Sequence, residues 1–262
     1  MKPKTVELLY LLLWACDTAA RPTFRNLTDS FEAWAYRSGL HRQLAVLEQQ
    51  QLLEARQDSS GSRLHRLTEA GRLIALGSRD PVARWKRRWD GKWRMVLFDV
   101  PQSRASDRVR LRRSLADRGF GYLQDSVWIT PDVLTGDREV LATGPVDVES
   151  LLLLEARPCA GESNADIVAG AWDFDAINRR YERHAQVLER LPRQAITGEP
   201  AARQLHRWFR DERLAWTEAM QLDPLLPEGL HPADYPGVKA WTRRLEIMAE
   251  AGRRMRAFRT AI

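Results

Sequence analysis

Residues 93–131 read WRMVLFDVPQSRASDRVRLRRSLADRGFGYLQDSVWITP, and the fold class follows from this stretch. Arg94 to Val100 is a short apolar run closed by Pro101, the pattern of a buried strand. Ser103 to Arg118 is helical, with Val109, Leu111 and Leu115 apolar and many arginines outward. Gly119-Phe120-Gly121 ends that helix. Tyr122 to Ile129 is extended, and Pro131 closes it. A helical stretch to about Ala142 and a strand from about Val146 to Ala156 are expected next. Strand, helix, strand or hairpin, helix, strand is the order of a ferredoxin-like unit, which makes the chain α+β.

Upstream lies a composition shift. Asp80 to Trp93 reads DPVARWKRRWDGKW, with Arg84, Lys86, Arg87 and Arg88 set between Trp85, Trp89 and Trp93. Basic residues among aromatics can grip phosphates and stack on bases, or the tryptophans can pack inward as an amphipathic helix would. Charge is unevenly spread. Residues 1–80 carry 11 Lys/Arg against 9 Asp/Glu, residues 81–131 carry 12 against 5, and residues 132–262 carry 18 against 21. The net charge of +6 therefore comes mainly from the middle of the chain. Such a balance favours nucleic acid or another anionic partner.

The first 80 residues read as a winged helix. Leu8, Leu9, Leu12 and Leu13 repeat at helical spacing within Thr5 to Cys16. A break containing Pro22 precedes a second helical stretch from about Phe24 to Tyr36. The third helix, about Gly39 to Gln50, places Leu40, Leu44 and Leu47 on one face and turns His41, Arg42 and Gln49 elsewhere. A polar, basic outer face suits a helix lying in a major groove. Leu52 to Gln57 and Arg63 to Leu67 flank the turn Asp58-Ser59-Ser60-Gly61-Ser62, which would form the wing. Thr68 is placed to cap a short helix. The candidate DNA contacts are Arg37, His41, Arg42, Gln49, Arg56, Arg63 and Arg66.

After a small-residue linker from Cys159 to Ala165, the C-terminal segment is helical. One long helix is expected through AWDFDAINRRYERHAQVLERL to Pro192, a second from Pro200 to Leu222, and a third from Val238 to Arg259. The proline-rich DPLLPEGLHPADYPG lies between the last two. The domain expectation is a winged helix over 1–80, a basic linker and ferredoxin-like domain over 81–160, and a helical domain over 161–262. At 262 residues the chain suits two or three domains. Cys16 and Cys159 lack metal spacing, and the five histidines are scattered. The apolar run from Val6 to Cys16 is too short for a bilayer, is interrupted by Glu7, and lacks a signal-cleavage pattern after it. These features point to a cytoplasmic protein with no membrane role, no cofactor, and no catalytic constellation.

WRMVLFDVP and RVRLRRSLADRGFGYLQDSVWITP resemble the central domain of the PaaX repressors. They are also similar to the small CRISPR-adaptation nucleases of ferredoxin-like fold. The C-terminal segment resembles the PaaX family at Trp172-Asp173, Asn178, Tyr181, Asp223-Pro224-Leu225-Leu226-Pro227, Tyr235-Pro236-Gly237 and Ala240. The family usually has Trp at the position of Tyr235, and a Tyr before Leu67-Thr68. The resemblance implies a homodimeric repressor of an aromatic-catabolism operon. Its partners would be a double-stranded DNA operator and an acyl-CoA effector such as phenylacetyl-CoA. Asp99 matches a metal ligand of the nucleases, so a metal-dependent nuclease is the alternative. A lone Asp at a strand end more often caps a turn, and no carboxylate cluster is near it in sequence. Arginines and tryptophans beside the central domain make its junction with the C-terminal helices the expected effector location, with a basic lining for the phosphates.

Overall fold

A computed structural model describes residues 3–14, 39, 43–57, 63–77, 79–134, 150–193 and 198–257. The chain is mixed α/β. It divides into two compact units, one of Met1–Asp80, Arg180–Thr217 and Pro236–Ile262, the other of Pro81–Arg179 and Glu218–Tyr235.

In the first unit, α1 (Pro3–Trp14) and α2 (Leu44–Gln49) precede β1 (Leu53–Gln57), β2 (Arg63–Leu67) and α3 (Glu69–Ala75). β1 and β2 form an antiparallel hairpin in the register Leu53↔Leu67 to Gln57↔Arg63. Thr68 caps α3 as expected, its Oγ1 accepting from Gly71 N at 3.0 Å. The second helix of the winged-helix reading and the wing tip lie outside the described residues.

The second unit opens with α4 (Pro81–Trp85) and contains a four-stranded antiparallel sheet. Its strands are β3 (Trp93–Asp99), β4 (Gly121–Gln124), β5 (Val127–Thr130) and β6 (Ser150–Ala156), with α5 (Ala105–Asp117) between β3 and β4. The order β4-β5-β3-β6 is the one a ferredoxin-like unit has. The helix expected up to Ala142 falls on residues 135–149, outside the described residues. The extended stretch from Tyr122 to Ile129, a strand or a hairpin by its sequence, is a hairpin. Asp125 takes a positive φ of 37°, which reverses the chain. One face of the sheet packs Val96, Phe98, Trp128, Leu151 and Leu153 against Leu111 and Leu115 of α5.

The long helix expected from Ala171 onward is broken. α6 (Asn164–Ala171) ends at Trp172, whose backbone is extended, and α7 (Phe174–Glu189) starts afresh. The reason is local. Asp173 accepts from Ala176 N at 2.8 Å and so caps α7. Trp172 turns inward and donates to Gly119 O at 3.2 Å. A Cβ on Gly121 would sit 2.7 Å from Ala171 and from the Trp172 ring, so only glycine admits this close approach. α8 (Gly198–Leu222) and α9 (Gly237–Ala257) complete the chain.

Among the described residues of the first unit, an apolar cluster joins the N-terminal elements to later helices. Leu8, Leu9 and Leu12 of α1, Leu47 of α2 and Leu53 and Leu67 of the hairpin pack with Leu188, Leu205, Trp208, Phe209 and Met248. Beside it, Glu212 is fully buried between Arg244 (Nε–Oε1 2.7 Å) and His184 (Nε2–Oε1 2.8 Å). The Arg244 guanidinium lies 4.3 Å from the Trp216 ring centre, so an aromatic face covers the charge. Burial, and next the Arg244 charge, push the His184 imidazole down to about 3. The neutral ring is therefore the native form.

His184 binds its proton more weakly folded than unfolded, so its contribution is whole above pH 6.5 and is lost as pH falls towards 3. Urea midpoints measured across that range should fall more steeply for the wild type than for His184→Gln. Parallel curves would show that His184 does not set the acid limit.

Candidate functional site

Asp223 follows the last turn of α8 and is 1% exposed. A buried carboxylate must be paired. Its Oδ1 accepts from Leu225 N at 2.7 Å and its Oδ2 from the Tyr235 hydroxyl at 2.5 Å. The first bond holds Leu225 at φ 51°, a left-handed conformation that costs a branched side chain about 1–2 kcal/mol. Leu225 and Leu226 are then driven inward, at 0% and 2% exposure. The second bond fixes Tyr235, whose hydroxyl also accepts from Trp85 Nε1 at 2.9 Å. Trp85, His231 and Tyr235 pack ring on ring, with centroids 4.3–6.4 Å apart. Arg87 donates to the Leu225 carbonyl and, at 2.6 Å, to Asp132. Asp223 thus fastens the segment 224–235 to itself and to α4.

That segment forms one wall of a cavity of about 550 Å³, and α6 with the start of α7 forms the other. Trp172 and Phe174 supply aromatic surface, while Asp173, Asp175 and Asp234 supply carboxylates. His231 lines the same space, and its Nε2 lies 2.9 Å from Leu226 O. Burial holds this imidazole below its ordinary range. Among the described residues no Lys or Arg lines the cavity. The basic lining expected for an effector is therefore not what this cavity presents. Of the linker cations, Arg84 and Arg87 are engaged elsewhere, reaching Asp132 at 2.5 Å and 2.6 Å. The tryptophans pack inward, Trp85 at 5% and Trp93 at 1% exposure.

Residues 86–168 match the PaaX protein central Cas2-like domain, and residues 172–258 match the PaaX-like protein C-terminal domain. The chain belongs to the PaaX family. That family is one of transcriptional regulators. No curated protein matches this PaaX-family chain. A solved structure, an uncharacterized protein from Mycobacterium tuberculosis, is similar over 95% of this chain and 89% of its own length. At 22% identity and a TM-score of 0.50 the likeness is one of fold.

Of the candidate DNA contacts, Gln49 is exposed at the end of α2 and Arg66 is partly exposed on β2. Arg56 and Arg63 occupy strand positions, paired with Leu64 and Gln57 across the hairpin. Arg37, His41 and Arg42 lie outside the described residues. Asp99 is exposed at the end of β3, opposite Ser150 of β6. Among the described residues no group of three or more His, Cys, Asp or Glu could hold a metal ion. No described helix is long and apolar enough to cross a membrane.

Sequence reasoning quoted Asp223 and Tyr235 as family positions but gave them no role, and it did not foresee the cavity. The available signal was an acid set directly before the prolines and leucines of DPLLP, where a carboxylate has few places to go but inward.

Tyr235→Phe removes the hydroxyl bond to the Asp223 carboxylate and should cost about 1–3 kcal/mol. Asp223→Ala should cost more, because it frees both Leu225 and Tyr235. Chemical denaturation of the two variants checks the order, and equal wild-type stability would remove the clasp.

Proposed function

We propose that this chain is a sequence-specific DNA-binding repressor of an aromatic-catabolism operon, released by an aryl-acyl-CoA effector of the phenylacetyl-CoA type. The observation that carries the reading is membership of a regulator family over both the central and the C-terminal segments. A helix followed by an antiparallel hairpin near the N-terminus supports a winged helix-turn-helix, with Arg37, His41, Arg42, Gln49, Arg56, Arg63 and Arg66 towards DNA. A cytoplasmic homodimer would set two recognition helices about one helical turn apart on a palindromic site.

The cavity offers the effector a place. Trp172 and Phe174 suit an aryl group, whereas Asp173, Asp175 and Asp234 repel phosphates. The thioester end would therefore enter and the nucleotide end stay outside. An occupant would press on His231, which packs on Tyr235 and Trp85. Trp85 closes α4, and α4 begins at Pro81, next in sequence to Asp80. Release from DNA requires that the effector bind the DNA-free state more tightly, because only differential affinity shifts the equilibrium.

Selection of fragmented genomic DNA by the purified protein should return a few sharp sites, and phenylacetyl-CoA should reduce binding to them more than CoA or phenylacetate. No enrichment would overturn the regulator reading. On a recovered site, Arg42→Ala should weaken binding by about 1–3 kcal/mol if Arg42 reads a base. Wild-type affinity by fluorescence anisotropy would take Arg42 out of the reading set.

Asp99 serves the strand end in this reading. Incubation with DNA or RNA and magnesium or manganese should leave the nucleic acid intact. Cleavage that disappears in Asp99→Ala would establish a nuclease instead.

A further inference from the structure

The cavity between α6 and the segment 224–235 is one-sided in its hydrogen-bonding chemistry. Its carboxylates, Asp173, Asp175 and Asp234, are exposed and can only accept. Asp173 uses Oδ1 to cap α7 and keeps its other oxygen. His231 adds a further acceptor. Its Nε2 lies 2.9 Å from the Leu226 carbonyl, which cannot donate, so Nε2 carries the proton. Burial holds this ring below its ordinary range, so the neutral form is native and Nδ1 keeps its lone pair. Donors are scarce by comparison. Trp172 Nε1 is engaged by Gly119 O at 3.2 Å. Asn164 accepts from Trp93 Nε1 at 2.9 Å through Oδ1, which leaves its Nδ2 as the remaining side-chain donor among the described lining residues.

The aromatic walls are already in place. Trp172 packs on Trp93 with centroids 6.1 Å apart, and Phe174 packs on Tyr235 at 6.2 Å. Their surface suits a flat ring, and about 550 Å³ is room for a small organic group. The polar lining then decides which ring. A bare ring displaces water from the carboxylates and from His231 Nδ1 and returns no hydrogen bond, which is a net loss. A ring ether fails in the same way, because its oxygen only accepts. An anionic substituent is repelled by the carboxylates. A ring bearing O–H or N–H replaces the lost water with a bond to an acceptor that is already there.

We infer that the aryl group taken by this cavity carries a hydrogen-bond donor, a ring hydroxyl or amine, accepted by His231 Nδ1 and the carboxylates of Asp175 and Asp234. This rests on the aryl-acyl-CoA reading and narrows it, because an unsubstituted phenylacetyl group leaves those acceptors unmet. The nucleotide end is common to every thioester, so the choice among them falls to the cavity.

The test is calorimetry on the full chain with phenylacetyl-CoA, its meta-hydroxy, para-hydroxy and para-amino derivatives, and the methoxy ether of each phenol. At least one donor-bearing thioester should bind about tenfold tighter than phenylacetyl-CoA, the effect of one added hydrogen bond to a strong acceptor. The methoxy ethers, larger but without a donor, should bind no tighter than phenylacetyl-CoA. The preference should shrink towards one in His231→Phe. Asp175 and Asp234 are exposed, so Asp175→Ala/Asp234→Ala keeps the fold if His231→Phe does not, and it should lower the preference too. Equal affinity for the donor-bearing and unsubstituted thioesters overturns the inference and leaves the thioester effector standing. Methoxy ethers that bind as tightly as the phenols overturn it as well, since size alone would then explain the gain. A preference that survives intact in the Asp175/Asp234 variant and in a folded His231→Phe places the ring elsewhere and overturns it. Binding of none of the thioesters overturns both this inference and the effector reading.

Discussion

A carboxyl group cannot be left without hydrogen-bond partners inside a protein, and the second unit is arranged around that constraint at Asp223. Its oxygens accept from Leu225 N and the Tyr235 hydroxyl. Bonds of this kind contribute about 0.5–3 kcal/mol each, comparable to the cost of the left-handed turn at Leu225. With that turn fixed, Leu226 and Leu230 join Trp93, Ile129, Val168 and Ala171 in one apolar cluster. The cavity wall, the Tyr235–Trp85 bond and the seat of α4 follow from the same carboxylate. A ligand that displaced His231 would act on a network with few alternative arrangements, which is the condition for a small shift to be passed on rather than absorbed.

The first unit answers the same constraint with an ion pair. Glu212 and Arg244 are both at 0% exposure, and His184 completes the group as a neutral ring. Such a pair is weak evidence for stability, since burial removes much of the Coulomb gain. Its geometric effect is plainer, because it ties α7, α8 and α9 to one another at a fixed register. The apolar cluster beside it joins those helices to α1, α2 and the hairpin. The segment read as DNA-binding therefore shares its core with C-terminal helices, and a change in their packing reaches it directly.

Charge is used in two ways in the central segment. Arg84, Arg87, Arg94 and Arg110 pair with carboxylates, and Arg108 and Arg112 close onto backbone. The cavity receives none of them, and its ionisable lining is acidic apart from His231. A basic sequence average thus says little about the sign of a particular hollow, because short-range pairing is decided by which carboxylate each guanidinium can reach.

The sequence alone determined what depends on neighbours along the chain. The apolar run from Met95 to Phe98 is a strand because it alternates faces inside a sheet. The Leu111–Leu115 spacing is a helix facing that sheet, and Thr68 is a cap because its hydroxyl reaches Gly71. The family motifs were equally legible, since each is a short contiguous string. What only the tertiary structure decided depends on partners far apart in sequence. The break at Trp172 needs Gly119 and Gly121, 53 and 51 residues earlier. The role of Tyr235 needs Trp85, 150 residues away. The burial of Glu212 needs His184 and Arg244 on two other helices. No periodicity records such meetings, because they are fixed by how the helices and the sheet close around shared cores, and propensity acts only on the residues next in line.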